Sequence, residues 1–100
     1  MRRGFLIAIE GIDGAGKTRN ARRLVRWLRK IGIQAHYTSE PTRGVVGRIL
    51  EKMAFGRRVD VRVEALLFAA DRIDHLNRII KPLLDKGFIV VSDRYVHSSI

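Results

Sequence analysis

Apolar side chains follow two rhythms along this chain. Phe5 to Ile9 is an unbroken apolar run, too compact to alternate, which predicts a strand buried on both faces of a parallel sheet. The rhythm then changes. Ala21, Leu24, Val25 and Leu28 recur at i, i+3, i+4 and i+7, with Arg19, Arg22, Arg23, Arg26, Arg29 and Lys30 between and around them. This is an amphipathic helix starting near Lys17, and Gly32 is placed to end it. The stretch 33–39, "IQAHYTS", is a second strand closed by Pro41 and Gly44. A short helix follows over 46–56. From Val61 to Gly87 the positions Leu66, Ala69, Ala70, Ile73, Leu76, Ile80 and Leu83 form one wide apolar face on a long helix. Pro82 should bend that helix or end its regular part. After Gly87, "FIVVSDRY" is a third buried strand running into a polar turn. Strand–helix–strand–helix–helix–strand is the alternation of an α/β domain, a parallel sheet flanked by helices. Three strands make a thin sheet of this kind, so residues 1–100 are expected to be the N-terminal part of a single longer domain.

Composition narrows the class. A chain of 100 residues with 46% apolar content supports one globular domain. It has no cysteine, hence no disulfide framework and no thiolate metal site. Glu10 cuts the first apolar run short of a signal core or membrane span. The expectation is a soluble cytoplasmic protein with no membrane partner. A formal charge of +10 suits polyanions and phosphorylated small molecules. The arginines of the first helix have only Trp27 among them as an aromatic, so no stable nucleic-acid partner is expected.

The loop between the first strand and helix carries the chemistry. Gly11-Ile12-Asp13-Gly14-Ala15-Gly16-Lys17-Thr18 fits G-x-x-x-x-G-K-[ST] completely, and it sits between a strand and a helix as that motif requires. Its glycines let backbone N–H groups close on phosphate oxygens, and the helix start adds its positive end. Lys17 reaches the terminal phosphates and the Thr18 hydroxyl can ligate Mg²⁺. This predicts a P-loop NTPase-type fold that binds a nucleoside triphosphate, with all eight loop residues at the phosphates. Phe68 and Arg72 stand i, i+4 apart and share a helix face, as a base reader or as a core phenylalanine beside a solvated arginine. Asp93-Arg94-Tyr95 ends the third strand, where ligands of open parallel sheets bind.

Four stretches in order, "EGIDGAGKT", "SEPTRG", "LLFAADRIDHL" and "VVSDRYVHSS", resemble the thymidylate kinase family of P-loop nucleoside monophosphate kinases. The resemblance runs along the whole chain and implies phosphoryl transfer from ATP, with Mg²⁺, to dTMP. It places Asp13 beside the deoxyribose hydroxyl, Phe68 against the thymine ring and Arg72 on a base carbonyl. Arg43 grips the acceptor phosphate, Arg94 contacts phosphoryl groups, Asp93 sits near Mg²⁺ with Thr18, and Ser98 lies near the acceptor nucleoside. Glu40 positions its loop or lies near the metal. Lys17, Arg94 and Asp93 are then the catalytic group. Asp71 and Asp74 are read as partners of neighbouring arginines. Family members are about twice this length, so the lid and adenine-binding segments are expected outside these 100 residues. A homodimer is also implied, with its contact on the 62–85 helix. Deoxynucleoside kinases, kinases of other monophosphates and a basic nucleic-acid-binding P-loop protein remain as alternatives.

Overall fold

The computed structural model describes residues 3–11, 15–53 and 60–95. Three strands, β1 (Leu6–Gly11), β2 (Ala35–Glu40) and β3 (Ile89–Tyr95), form one parallel sheet in the order β1-β3-β2. Helix α1 (Ala15–Lys30) links β1 to β2, and α2 (Val45–Met53), α3 (Val61–His75) and α4 (Lys81–Asp85) follow before β3. The α/β reading of the sequence is the observed architecture.

Strand alternation sorts the side chains. Ala35 and Tyr37 of β2, with Ile89 and Val91 of β3, pack with Ala21, Leu24, Val25 and Leu28, so one face of the sheet meets α1. The intervening Thr38 and Glu40 turn to the opposite face, where they bond to α3. Val90, Val91 and Ser92 have no exposed surface, because β3 is paired on both edges and covered on both faces. Gly32, at φ 88°, takes the left-handed turn that stops α1.

Several details differ from expectation. The strand expected to be buried on both faces, β1, pairs with β3 along one edge among the described residues, leaving Leu6 and Ile7 each more than a third exposed. α1 begins at Ala15, two residues before Lys17, and β2 is shifted to Ala35–Glu40. The short helix is described only to Met53; its expected end near Gly56 lies outside the described residues. The long helix divides: α3 stops at His75, residues Leu76–Ile80 open into a π turn, and α4 carries Pro82 in its first turn. Lys81 N–H reaches back to Leu76 O, five residues away. A wider turn ahead of the proline eases the clash its ring would make with the preceding carbonyls.

The apolar face of that segment also divides. Ile80 is buried and Leu76 and Leu83 are half-buried, whereas Leu66, Ala69, Ala70 and Ile73 are exposed. The buried side of α3 is instead Asp71 and His75, both at 0% exposure. At the start of α2, a Cβ on Gly47 would lie 1.8 Å from Thr42 O. Only glycine lets the helix and the 41–44 loop approach so closely.

Candidate active site

The first turns of α1 and the carboxyl end of β3 meet because both follow parallel strands on the α1 face of the sheet. There Lys17 and Thr18 converge on Asp93. Lys17 Nζ lies 2.9 Å from Asp93 Oδ1 and donates to Arg94 O (2.9 Å) and Gly11 O (3.3 Å). Thr18 Oγ1 donates to Asp93 Oδ2 at 3.1 Å, and Tyr37 Oη donates to the same oxygen at 2.9 Å. Burial alone would push the Asp93 carboxyl up. The close contact with the Lys17 ammonium, with the hydrogen bonds from Tyr37 and Thr18, outweighs it and holds the carboxyl below its ordinary range. Burial, then the Asp93 hydrogen bond and charge, push the Tyr37 phenol up. Asp93 Oδ1 is buried and accepts no aligned hydrogen bond among the described residues, its contact with Lys17 being ionic.

Two cavities open at this end of the sheet. The smaller, about 260 Å³, is bordered by Lys17, Thr18, Tyr37, Ser39, Glu40, Pro41 and Asp93. The larger, about 800 Å³, is lined by Arg22, Arg43, Phe68, Met53, Leu50 and Ile79 among others, and shares Tyr37, Ser39 and Pro41 with the smaller. A cavity of this size, lined by an aromatic ring, two arginines and the glutamates Glu51 and Glu64, can take a small ligand with a flat ring and a charged end.

The opposite face of β2 carries a polar chain. Thr38 Oγ1 meets His75 Nε2 at 2.6 Å, His75 Nδ1 meets Glu40 Oε2 at 2.8 Å, and Arg72 Nε donates to Glu40 Oε1 at 2.9 Å. Burial acts to raise the Glu40 carboxyl, but the His75 and Arg72 hydrogen bonds and the charges beside it bring it below its ordinary range. Asp71 accepts from Thr42 N (2.8 Å) and Thr42 Oγ1 (2.6 Å), pinning the loop that carries Arg43.

The expected site residues sort as follows. Gly11, Gly16, Lys17, Thr18 and Asp93 come together at the loop and β3. Arg94 turns its guanidinium to Glu10 Oε1 (3.2 Å), its partner across β1, and gives Lys17 only its carbonyl. Phe68 and Arg43 line the larger cavity. Arg72 is absent from that lining and is tied to Glu40. Ile12, Asp13, Gly14 and Ser98 lie outside the described residues, as does the side chain of Ala15. Asp74 holds Arg78 at 2.8 Å as expected; Asp71, read as an arginine partner, holds Thr42 instead. Sequence reasoning missed Tyr37, Thr38, His75 and Arg22. Two signals could have found them: the alternation Tyr37/Thr38 in β2, and the mixed stripe Phe68, Asp71, Arg72, His75 at i, i+3, i+4, i+7.

Comparison with known proteins places the chain in a family. The thymidylate kinase family model matches residues 9–100. A probable thymidylate kinase of Thermococcus gammatolerans is 42% identical over 106 residues, covering 97% of this chain and 51% of that protein. One from Pyrobaculum calidifontis is 46% identical over 97 residues, covering 96% and 48%. The crystal structure of thymidylate kinase from Ehrlichia chaffeensis superposes with a TM-score of 0.80 at 34% identity, covering 92% of this chain and 51% of that one. The chain thus spans about half the length of the relatives it matches. With its phosphate loop followed to the carboxyl end of the central strand, and with this match along nearly its whole length, the chain belongs to the thymidylate kinase family.

Proposed function

We propose that the full-length protein transfers the terminal phosphoryl group of ATP to dTMP, yielding dTDP and ADP for dTTP synthesis. The convergence of Lys17 and Thr18 on Asp93, beside a cavity holding Phe68 and Arg43, is the observation that carries this reading. ATP lies with its phosphates along residues 11–18 and dTMP lies in the larger cavity.

The residues present fit Mg²⁺. Asp93 Oδ1 is a buried oxygen with spare accepting capacity, next to the Thr18 hydroxyl. Mg²⁺ binds through one or two protein oxygens, keeping substrate phosphates and waters as its other ligands. Thr18 and Asp93 would hold it, and it would neutralise phosphate charge. A Cβ at Gly16 would meet no described atom within 4 Å, which leaves room there for a phosphate to approach.

The chemistry asks the protein for alignment and charge. An acceptor phosphate oxygen is already nucleophilic; it forms the new bond to the γ-phosphorus as the bond to the β–γ bridging oxygen breaks, and ADP leaves. Lys17 follows the charge on the transferred group. Arg94 joins it by leaving Glu10, and Arg43 grips the acceptor phosphate. Phe68 stacks on thymine, Asp13 accepts from the sugar hydroxyl and Ser98 borders the nucleoside. Glu40 holds Arg72 by Nε alone, leaving its outer nitrogens to donate to a base carbonyl. Residues 1–100 are the N-terminal part of one P-loop kinase domain whose lid and adenine contacts follow. The protein works in the cytoplasm as a homodimer, without stable nucleic-acid or membrane partners.

The test is ATP-dependent phosphorylation of dTMP, dUMP, UMP, AMP and CMP by the full-length gene product. Selective turnover of dTMP, lost in Phe68→Ala or Arg72→Ala, is expected. Turnover of a different monophosphate would remove the thymine assignment; none at all would remove the kinase.

A further inference from the structure

Arg22 stands one turn beyond Thr18 on α1, and i, i+4 spacing points both to the same face. Its guanidinium carbon sits 5.0 Å over the centroid of the Tyr37 ring. Tyr37 in turn donates to Asp93, and it is one of three residues bordering both cavities. Arg22 lines the larger cavity and forms no ion pair among the described residues. It is therefore a cation held on an aromatic platform at the junction where an acceptor in the larger cavity must bring its phosphate to Lys17 and Asp93.

We infer that Arg22, seated on Tyr37, is a further binding residue for the acceptor's phosphate, sharing that anion with Arg43. This rests on the phosphoryl-transfer reading above. The platform restricts the guanidinium before the ligand arrives, so less side-chain freedom is lost on binding. A planar fork suits two phosphate oxygens better than an ammonium does. Arg22 also approaches the phosphate from α1, whereas Arg43 approaches from the 41–44 loop. Two cations on separate elements fix the direction of the anion as well as attract it.

The experiment compares binding of dTMP and thymidine, which lacks the phosphate, to the full-length protein and its variants. In Arg22→Gln the advantage of dTMP over thymidine is expected to fall about tenfold, the loss of one charge-assisted contact. KM for dTMP should rise to match while KM for ATP stays within about twofold, and Arg22→Lys should restore part of the advantage. Arg23→Gln, an exposed arginine one residue on that does not line the cavity, should leave the ratio unchanged and so controls for net charge. An unchanged ratio in Arg22→Gln, or equal losses for dTMP and thymidine, would overturn the inference while leaving the kinase reading intact. If the wild type turns over no monophosphate, the functional reading fails and this inference with it.

Discussion

Replacing Glu40 by glutamine separates the charge of the buried carboxylate from its geometry. Its side chain is 5% exposed and accepts from two sides, Arg72 Nε at 2.9 Å and His75 Nδ1 at 2.8 Å. In Glu40→Ala both donors lose their acceptor. Arg72, about half exposed, turns to water, but His75 has no exposed surface and cannot. An unpaired buried donor costs about 1–3 kcal/mol, and with the lost volume the expected destabilisation is about 3 kcal/mol. Glutamine can satisfy both sides if its carbonyl accepts from Arg72 and its amide donates to His75 Nδ1. His75 must then carry its proton on Nε2 and donate to Thr38 Oγ1, which accepts as readily as it donates. Only charge assistance is lost, about 1–1.5 kcal/mol. Denaturant unfolding of the full-length protein at neutral pH measures both variants, and nitrogen NMR of the imidazole reads the tautomer. Equal losses in the two variants, or an unchanged tautomer in Glu40→Gln, would refute the reasoning. The pH dependence gives an independent check. The carboxyl lies below its ordinary range in the folded protein, so its contribution is present above the unfolded value of about 4.3 and is lost as pH falls through the folded one. The gap between wild type and Glu40→Gln should therefore narrow in acid below about pH 4.

Gly47→Ala would set a methyl 1.8 Å from Thr42 O, and Asp71 holds Thr42 by two hydrogen bonds so the loop cannot easily yield. A loss of about 1–3 kcal/mol in thermal unfolding is expected, with a raised KM for dTMP because Arg43 rides on that loop; an unchanged melting temperature would contradict the packing described. Leu66 and Ile73 are 71% and 61% exposed on one face of α3, so the proposed homodimer should fall to monomer in light scattering when both are replaced, Leu66→Glu with Ile73→Glu. An unchanged mass would remove the proposed contact from this face.

The order of elements was legible because apolar runs and glycines punctuate the chain at most boundaries, those inside 61–85 excepted, and the phosphate-loop motif was legible because all its residues are adjacent. What escaped was long-range pairing. Nothing local distinguishes Asp71, whose partner is Thr42, from Asp74, whose partner Arg78 lies one turn away. His75 is polar and next to the apolar stripe, and only the arrival of Glu40 and Thr38 from β2 makes its burial tolerable. The exposed side of α3 was hidden for the same reason: Leu66 and Ile73 make a better apolar stripe than Asp71 and His75, yet hydrogen bonds, not hydropathy, decide which side meets the sheet.

Consecutive residues of β2 serve separate neighbourhoods: Tyr37 belongs to Asp93 and α1, while Thr38 and Glu40 belong to His75 and Arg72 of α3. The pleat of one strand thus keeps the hydrogen bonds of Tyr37 apart from those of Thr38 and Glu40, although Tyr37 and Glu40 border the same smaller cavity. Thr38 and Glu40 can be exchanged together with their α3 partners while the hydrogen bonds of Asp93 stay as they are. An inserted or deleted residue within β2 has no such freedom, since it would send every side chain after it to the wrong face. Variation along this strand should therefore run to paired substitutions at every second position and avoid changes of length.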